Sequence, residues 1–497
     1  MEAYPEPAVI IMNSIVEIFA CFAEKQPDAL FAADSKGNEY SYKAAWNKIK
    51  CIAFKLKNFY GVAAGQSIMV ECNQDVPYLL VDMACQLIHA VFIPIEGDAS
   101  YDRKKDICFE TGSVLYIYQK QALDLINGAE YCILLDCQDE ISDFDFPAGD
   151  ETAEILYTTG TTGKSKGIVI SHIADIALAE NIKYGADMPQ GNVEIIPVPV
   201  SHSHGLRCCY ANIISGGSII LVDGLMRVKE VFNLMDKYSA TALDVSPSAA
   251  MLLIKLSKGK FWEYGRKLNF IELGTASLPE DLKKQLQENL PGVHLYNFYG
   301  STESGRSCVL DFSIHKGKAN CIGKPTKNSE IVFTDEDRNI INATSEMPGL
   351  LASRGPMNMT CYWKNPDLTA EILRDNFIYT NDLGYKDEEG FIYVLGRKDD
   401  VINYNGIKIS PDEIEEVAAK YSGIKDCACV PQKDALAGQI PKLFISIENE
   451  ASFDKKAFID YLTSHLDGNK VPKSLEIIPE IPRTFNGKIK RKDLINL

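Results

Sequence analysis

Basic residues are in short supply. The 497-residue chain carries 51 lysines and arginines against 68 acids, a formal charge of −17 with histidines neutral. A surface bearing many phosphates, whether duplex nucleic acid or lipid, is therefore repelled overall. Metal-type cysteine spacing is missing as well. Fourteen cysteines are scattered, with one adjacent pair (Cys208, Cys209), one alternate pair (Cys427, Cys429) and no CxxC or Cys/His grouping of zinc type, so buried thiols are expected. No run reaches the roughly 18 to 20 apolar residues that span a bilayer. The N-terminal stretch carries acids where a secretory peptide needs basic residues, and Asn13 and Glu17 break its apolar run. These absences predict a cytoplasmic protein with no membrane insertion and no nucleic-acid partner.

What is present is an ordinary globular composition, 46% hydrophobic and 24% charged, at a length that predicts a large domain plus a small one or about three units. Apolar residues recur at helical spacing over Ile10 to Ala23, Ala44 to Asn58 and Tyr78 to His89. Short strand-like runs fall at Glu39 to Tyr42, Ser67 to Glu71, Ala90 to Ile95 and Tyr131 to Leu135. The alternation resumes with Ile195 to Val198, Ser218 to Val222, a helical Val228 to Tyr238, Ala242 to Val245 and Phe270 to Leu273. It predicts an α/β fold whose large N-terminal domain has parallel-rich sheets faced by helices. Between Ile331 and Tyr393 short strands alternate with turn signals, the pattern of a small β-rich subdomain. The last hundred residues read as a small C-terminal α+β domain: a helix from Pro411 to Tyr421 capped by Ser410, strands at Cys427 to Val430 and Leu443 to Ile447, and a helix over Lys455 to His465. The expected division is 1–398 and 399–497.

The strongest local signal is Thr158-Thr159-Gly160-Thr161-Thr162-Gly163-Lys164-Ser165-Lys166-Gly167, flanked by apolar Ile155-Leu156-Tyr157 and Ile168-Val169-Ile170. Glycines let backbone N–H groups converge on an anion, hydroxyls add donors and lysines add charge, so the segment suits a phosphate better than it suits a plain hairpin turn. The P-loop of ordinary NTPases fits poorly. Thr158 stands where its first glycine belongs, and the loop runs into a strand where a P-loop opens a helix.

Together with later segments, this loop resembles the phosphate loop of the adenylate-forming superfamily, which includes acyl- and aryl-CoA ligases. That resemblance implies a large N-terminal domain, a C-terminal lid, and two half-reactions: acyl-AMP formation from ATP and a carboxylate, then transfer to a thiol or amine. Tyr296-Asn297-Phe298-Tyr299-Gly300-Ser301-Thr302-Glu303 resembles the nucleotide motif. It implies that Tyr299 stacks on adenine, Asn297 bonds the base, Thr302 contacts the α-phosphate and Glu303 holds Mg²⁺, with Phe298 and Gly300 beside them. Gly274-Thr275-Ala276 is similar to the small-residue stretch along which adenine and the acyl group lie, with Ser277 in place of the usual proline. Thr380-Asn381-Asp382-Leu383 resembles T-G-D-L, so Asp382 would accept both ribose hydroxyls; Asn381 replaces glycine at what is taken to be a turn. In Gly396-Arg397-Lys398-Asp399-Asp400, Arg397 would reach the ribose and Asp399 would be the hinge, although Asp399 on local grounds reads equally as a solvated acid. Asn405-Gly406 would let a pantetheine arm of CoA pass, and Pro482 to Arg491 carries Lys488 at the position of the catalytic lysine.

The acid pocket falls to His202-Ser203-His204-Gly205-Leu206-Arg207, with Gly305. His202 stands where the family meets the acyl carboxylate and His204 where it usually has an aromatic wall. Ser203 replaces the aspartate with which peptide-synthetase domains pair an α-ammonium, which argues against amino acids. His204 and Arg207 make the wall polar, so a small aryl or functionalised short acid is expected, Arg207 either recognising a polar substituent or making a structural ion pair. No fused carrier is expected after Leu497, leaving free CoA, a separate carrier protein or an amine as acceptor. The other class of reading is a non-catalytic acyl or nucleotide sensor, disfavoured by the joint presence of Lys488, Glu303, Thr302 and Asp382.

Overall fold

The structure, a computed structural model, describes residues 12–158, 165–405, 407–434, 436–448, 453–483, 489–495 and 497. The protein is α/β. Among the described residues a sheet of fifteen strands forms its spine. Six of these strands are parallel neighbours: Leu30–Asp34, Ser218–Leu221, Val193–Ile196, Ala242–Val245, Phe270–Leu273 and His294–Ser301. From His294–Ser301 the sheet continues antiparallel through Gly305–Asp311, Cys321–Pro325, Ile392–Arg397, Phe377–Lys386, Gly349–Arg354 and Glu330–Thr334. The β-rich region is thus an extension of the same sheet.

A second sheet of seven strands includes Thr152–Thr158 and Lys166–Ser171, the antiparallel pair that carries the threonine-glycine loop. Helices Val76–Leu87, His172–Gly185 and Ser203–Ile214 lie between the two sheets. One apolar core joins Ile68, Val70 and Phe92 of the second sheet to Leu79, Leu206 and Tyr210 of the helices and to Ile196, Ile219 and Leu221 of the first. Beyond Arg397 the chain turns over residues 398–400 and enters a third sheet of five strands, in which Ile424–Asp434 pairs with Gly438–Ile447. This sheet has its own core with helices Pro411–Ala418 and Lys455–His465. The Pro411–Ala418 helix rests on the large domain: Ser277 Oγ donates to Asp412 Oδ2 at 3.1 Å, and Lys420 pairs with Asp281 at 2.9 Å.

Three local expectations change. Tyr131–Leu135 is a helix, and the strand is the polar Asn127–Glu130 before it. That apolar run is buried by docking rather than by the sheet, with the Tyr131 hydroxyl donating to the Glu71 carbonyl at 2.7 Å. The first helix runs Ile15–Lys25 behind a Ser14 cap, and the helix after Pro411 stops at Ala418, with no side-chain cap bond from Ser410. All fourteen cysteines are free thiols. Among the described residues no helix is long and apolar enough to cross a membrane.

Candidate active site

In an open parallel sheet a ligand sits outside the carboxyl ends of the strands, where the strand order reverses. Here that point is Val193–Ile196: its chain successor Ser218–Leu221 pairs on one side and Ala242–Val245 on the other. The segments singled out from the sequence leave the sheet at these ends: residues 202–204 after Val193–Ile196, Gly274-Thr275-Ala276 after Phe270–Leu273, and Tyr299-Gly300 at the end of the His294–Ser301 strand. Thr275 is held at φ +72°, a left-handed conformation costly for a β-branched residue, and such strain concentrates at ligand sites.

The nucleotide residues converge. Asn297 is buried and its Oδ1 has no partner among the described residues, an acceptor that an exocyclic amine would satisfy. The Tyr299 hydroxyl donates to Asp382 Oδ2, and Arg397 Nε stands 3.5 Å from Asp382 Oδ1. Burial, reinforced by the Asp382 charge, raises the Tyr299 phenol well above its usual pKa, so the hydroxyl keeps the proton it donates. Gly300 is required because a Cβ there would collide with the Gly305 carbonyl across the hairpin. Asn381 lies inside the strand Phe377–Lys386 without a left-handed backbone, so its replacement of glycine costs no strain and the expected turn is absent. Phe298 meets the Gly274 wall through its backbone. Its side chain is core, packed on Gly185 with the Arg306 guanidinium 4.7 Å above its ring, and only its backbone faces Gly274.

Thr302 and Glu303 occupy the tip of the hairpin between His294–Ser301 and Gly305–Asp311, fixed by Ser304 N donating to Ser301 Oγ at 3.1 Å. Glu303 Oε1 accepts from the Tyr362 hydroxyl at 2.8 Å, leaving the second carboxylate oxygen for a hard cation such as Mg²⁺. Tyr362 pairs in register with Ile168 of the phosphate-loop hairpin, and Lys166 Nζ lies 5.6 Å over its ring. Glu303 is thereby tied to that hairpin. Thr158 ends its first strand. Thr159, Gly160, Thr161, Thr162, Gly163 and Lys164, together with Gly406 and Lys488, lie outside the described residues. Asp399 is exposed in the turn where the chain changes sheets.

The acid-pocket residues divide. His202 and Ser203 open the Ser203–Ile214 helix, with His202 Nε2 3.7 Å from Glu96 Oε1. Burial lowers the His202 pKa, opposed by Glu96, so the ring is neutral at pH 7. His204 Nε2 lies 2.7 Å from the buried Asp244 Oδ1, and its ring abuts Gly274, where a Cβ would sit 2.6 Å from Cε1. Arg207 is a correction. It is 1% exposed and clamped between Glu154 and Asp175 (3.0 Å to Oδ1), an internal ion pair with no face on a pocket. Gly305 has φ +63° and lies where a Cβ would meet Leu178 and Met357, so the tip of the hairpin needs a glycine there. Asp244, Glu272, Arg306 and Tyr362 were not singled out in the sequence, and Cys208 was noted only as one of an adjacent pair of thiols. The signal available for Asp244 and Glu272 was an acid inside each of the short apolar strands Ala-Leu-Asp-Val and Phe-Ile-Glu-Leu.

The model of the AMP-binding enzyme family matches residues 19–363, and that of the AMP-binding enzyme C-terminal domain matches residues 413–488. The chain belongs to the AMP-binding enzyme family. A probable CoA ligase of Humulus lupulus is 31% identical over 357 residues, which is 70% of this chain and 64% of that relative, so the match spans less than two thirds of its length. The peroxisomal OPC-8:0-CoA ligase 1 of Arabidopsis thaliana is 29% identical over 495 residues, 94% of this chain and 90% of that one. In fold, the chain is similar to ATP-bound MatB from Rhodopseudomonas palustris, with a TM-score of 0.86, 21% identity, and 98% and 99% of the two chains covered.

Proposed function

We propose that this AMP-binding family member activates a small aryl or functionalised short carboxylic acid with ATP and passes the acyl group to CoA. The substrate carboxylate oxygen attacks the α-phosphorus, the bond to the bridging oxygen of the β-phosphate breaks, and pyrophosphate leaves, giving acyl-AMP. The CoA thiol then adds to the acyl carbonyl, loses its proton and expels AMP. The observation that carries the reading is the buried Asn297 Oδ1, without a partner among the described residues, on the strand that also holds Tyr299 to Asp382. An acceptor for the adenine amine and a carboxylate for the ribose hydroxyls thus flank one aromatic ring. Glu303 would hold Mg²⁺, which supplies charge neutralisation as pyrophosphate forms. Neutral His202, at the start of a twelve-residue helix, donates to the substrate carboxylate with the helix N-terminus behind it.

Domain 399–497 acts as a lid pivoting at Asp399. It brings Lys488 to the phosphorus for the first step and Gly406 to the thiol path for the second. The relatives' names, CoA ligases, support CoA as acceptor.

The test is to mix protein, ATP, Mg²⁺ and a panel of acids with hydroxylamine. Expected are AMP and a hydroxamate from short polar or aryl acids, and a thioester when CoA replaces hydroxylamine. Lys488→Ala should lose hydroxamate formation yet still transfer supplied acyl-AMP to CoA. ADP as product, or no acid-dependent AMP, overturns the reading, and long saturated chains ranking first overturn its substrate part.

A further inference from the structure

We propose that His204, Cys208 and Asp244 bind a divalent metal ion of the zinc type, at a site separate from the Mg²⁺ position at Glu303. His204 and Cys208 stand four residues apart on the Ser203–Ile214 helix and so share one face, a turn apart. Asp244 and Glu272 are register partners on the parallel strands Ala242–Val245 and Phe270–Leu273, and both carboxylates reach Cys208 on that helix. His204 Nε2 lies 2.7 Å from Asp244 Oδ1, and Cys208 Sγ lies 3.2 Å from Asp244 Oδ2. One donor atom from each of the three residues falls within 4.8 Å of the others. A tetrahedral zinc with bonds of about 2.0 Å to nitrogen and oxygen and about 2.3 Å to sulfur needs its donors about 3.3–3.5 Å apart, so small side-chain shifts seat it.

The cluster is short of positive charge. Cys208 Sγ faces three oxygens, the His204 carbonyl at 3.2 Å, Asp244 Oδ2 at 3.2 Å and Glu272 Oε1 at 2.8 Å, and a thiol has one proton to give. Two fully enclosed carboxylates, Asp244 and Glu272, meet one guanidinium, that of Arg306, which donates to Glu272 Oε2 and to Cys208 Sγ, each at 2.9 Å. The neighbouring Glu194, raised by burial well above the usual carboxyl range, keeps its proton and stays out of this balance. A dication completes the arrangement. It displaces the thiol proton, and two carboxylates with one thiolate then balance the metal and Arg306. The guanidinium also favours the thiolate that a metal requires. A mixed nitrogen, sulfur and oxygen set selects zinc or cobalt over Mg²⁺, and three protein ligands leave one position of four for water. Entry is from the His204 side, where the side chain keeps 11% of its surface open while Cys208 and Asp244 keep none. An ion held here joins the start of the helix to the strand Ala242–Val245 as a structural cross-link, with no part in the transfer of the acyl group.

The test uses the full-length protein, dialysed against a chelator and kept reduced, and Co²⁺ as a spectroscopic stand-in for Zn²⁺, with Mg²⁺ in excess throughout. Expected is a thiolate-to-cobalt charge-transfer band that saturates at one equivalent and is abolished by Zn²⁺. Cys208→Ser should lose the band. His204→Gln should weaken Co²⁺ binding about tenfold or more. Cys132→Ser, which removes an exposed thiol elsewhere, should leave both band and affinity unchanged. No band in the wild type, a band that survives Cys208→Ser, an affinity unmoved by His204→Gln, or a band lost in Cys132→Ser overturns the proposal. Where Cys208→Ser fails to fold, the wild-type spectrum and His204→Gln, on the one partly exposed ligand, decide. The readout is spectral, so it is independent of whether the protein releases pyrophosphate from any acid, and failure of the acid-activating reading leaves it standing.

Discussion

Tyr299 and Asp382, 83 residues apart in the chain, share a hydrogen bond in which the phenol donates to Oδ2 while Arg397 approaches Oδ1 at 3.5 Å. An aromatic face suited to a base and a carboxylate suited to a ribose are thereby one unit.

Tyr299→Phe keeps the ring and removes its anchor. A hydrogen bond to a charged group contributes about 1.5–3 kcal/mol, so KM for ATP should rise about tenfold or more with a smaller change in kcat. Initial rates over an ATP titration check this, and an unchanged KM with reduced kcat contradicts it.

Tyr362→Phe frees Glu303 from the phosphate-loop hairpin. The Mg²⁺ concentration for half-maximal rate should rise several-fold, with saturating Mg²⁺ recovering most of the activity. A lower rate at all Mg²⁺ concentrations would show that Tyr362 acts elsewhere.

Arg207→Met leaves Glu154 and Asp175 as buried carboxylates without their guanidinium. Breaking a buried pair on one side costs about 3–5 kcal/mol, which urea denaturation measures. The ranking of acids should not change. An altered ranking at unaltered stability would return Arg207 to the pocket.

The outcome for Arg207 shows where sequence reasoning runs out. The strands Ala242–Val245 and Phe270–Leu273 and the helix Lys455–His465 have the bounds their apolar spacing implies, because local burial is written in local periodicity. Asn297, Tyr299, Asp382 and Arg397 lie in motifs whose residue types match ligand chemistry, and the fold brings them together. Ion pairs are not local. Glu154 stands 53 residues from Arg207, and Glu272 64 residues from Cys208, so a buried charged side chain reads as an exposed one until its partner is placed. Tyr131–Leu135 failed for a related reason: a five-residue apolar run carries no period that tells a buried strand from a docked helical turn.

Asp82 gives stability a pH dependence. It is 1% exposed, it accepts from the Tyr210 hydroxyl at 2.8 Å and Gln86 Nε2 at 3.1 Å, and burial with repulsion from Glu154 pushes its carboxyl up to about 7. A carboxyl raised in the folded state contributes stability that is complete below its unfolded pKa of about 4 and is lost as pH rises through about 7. The full amount is of order 4 kcal/mol. The stability deficit of Asp82→Asn relative to wild type should therefore be largest near pH 4 and shrink toward pH 8, as followed by urea denaturation. A deficit that grows with pH would mean that Asp82 is held ionised.

The central claim, that one crevice joins a carboxylate to the α-phosphorus of ATP, is tested most directly by acid-dependent exchange of labelled pyrophosphate into ATP. The account predicts exchange that requires both Mg²⁺ and a carboxylic acid and proceeds without CoA. Exchange that ignores the acid, or label passing into ATP only from inorganic phosphate, would contradict it.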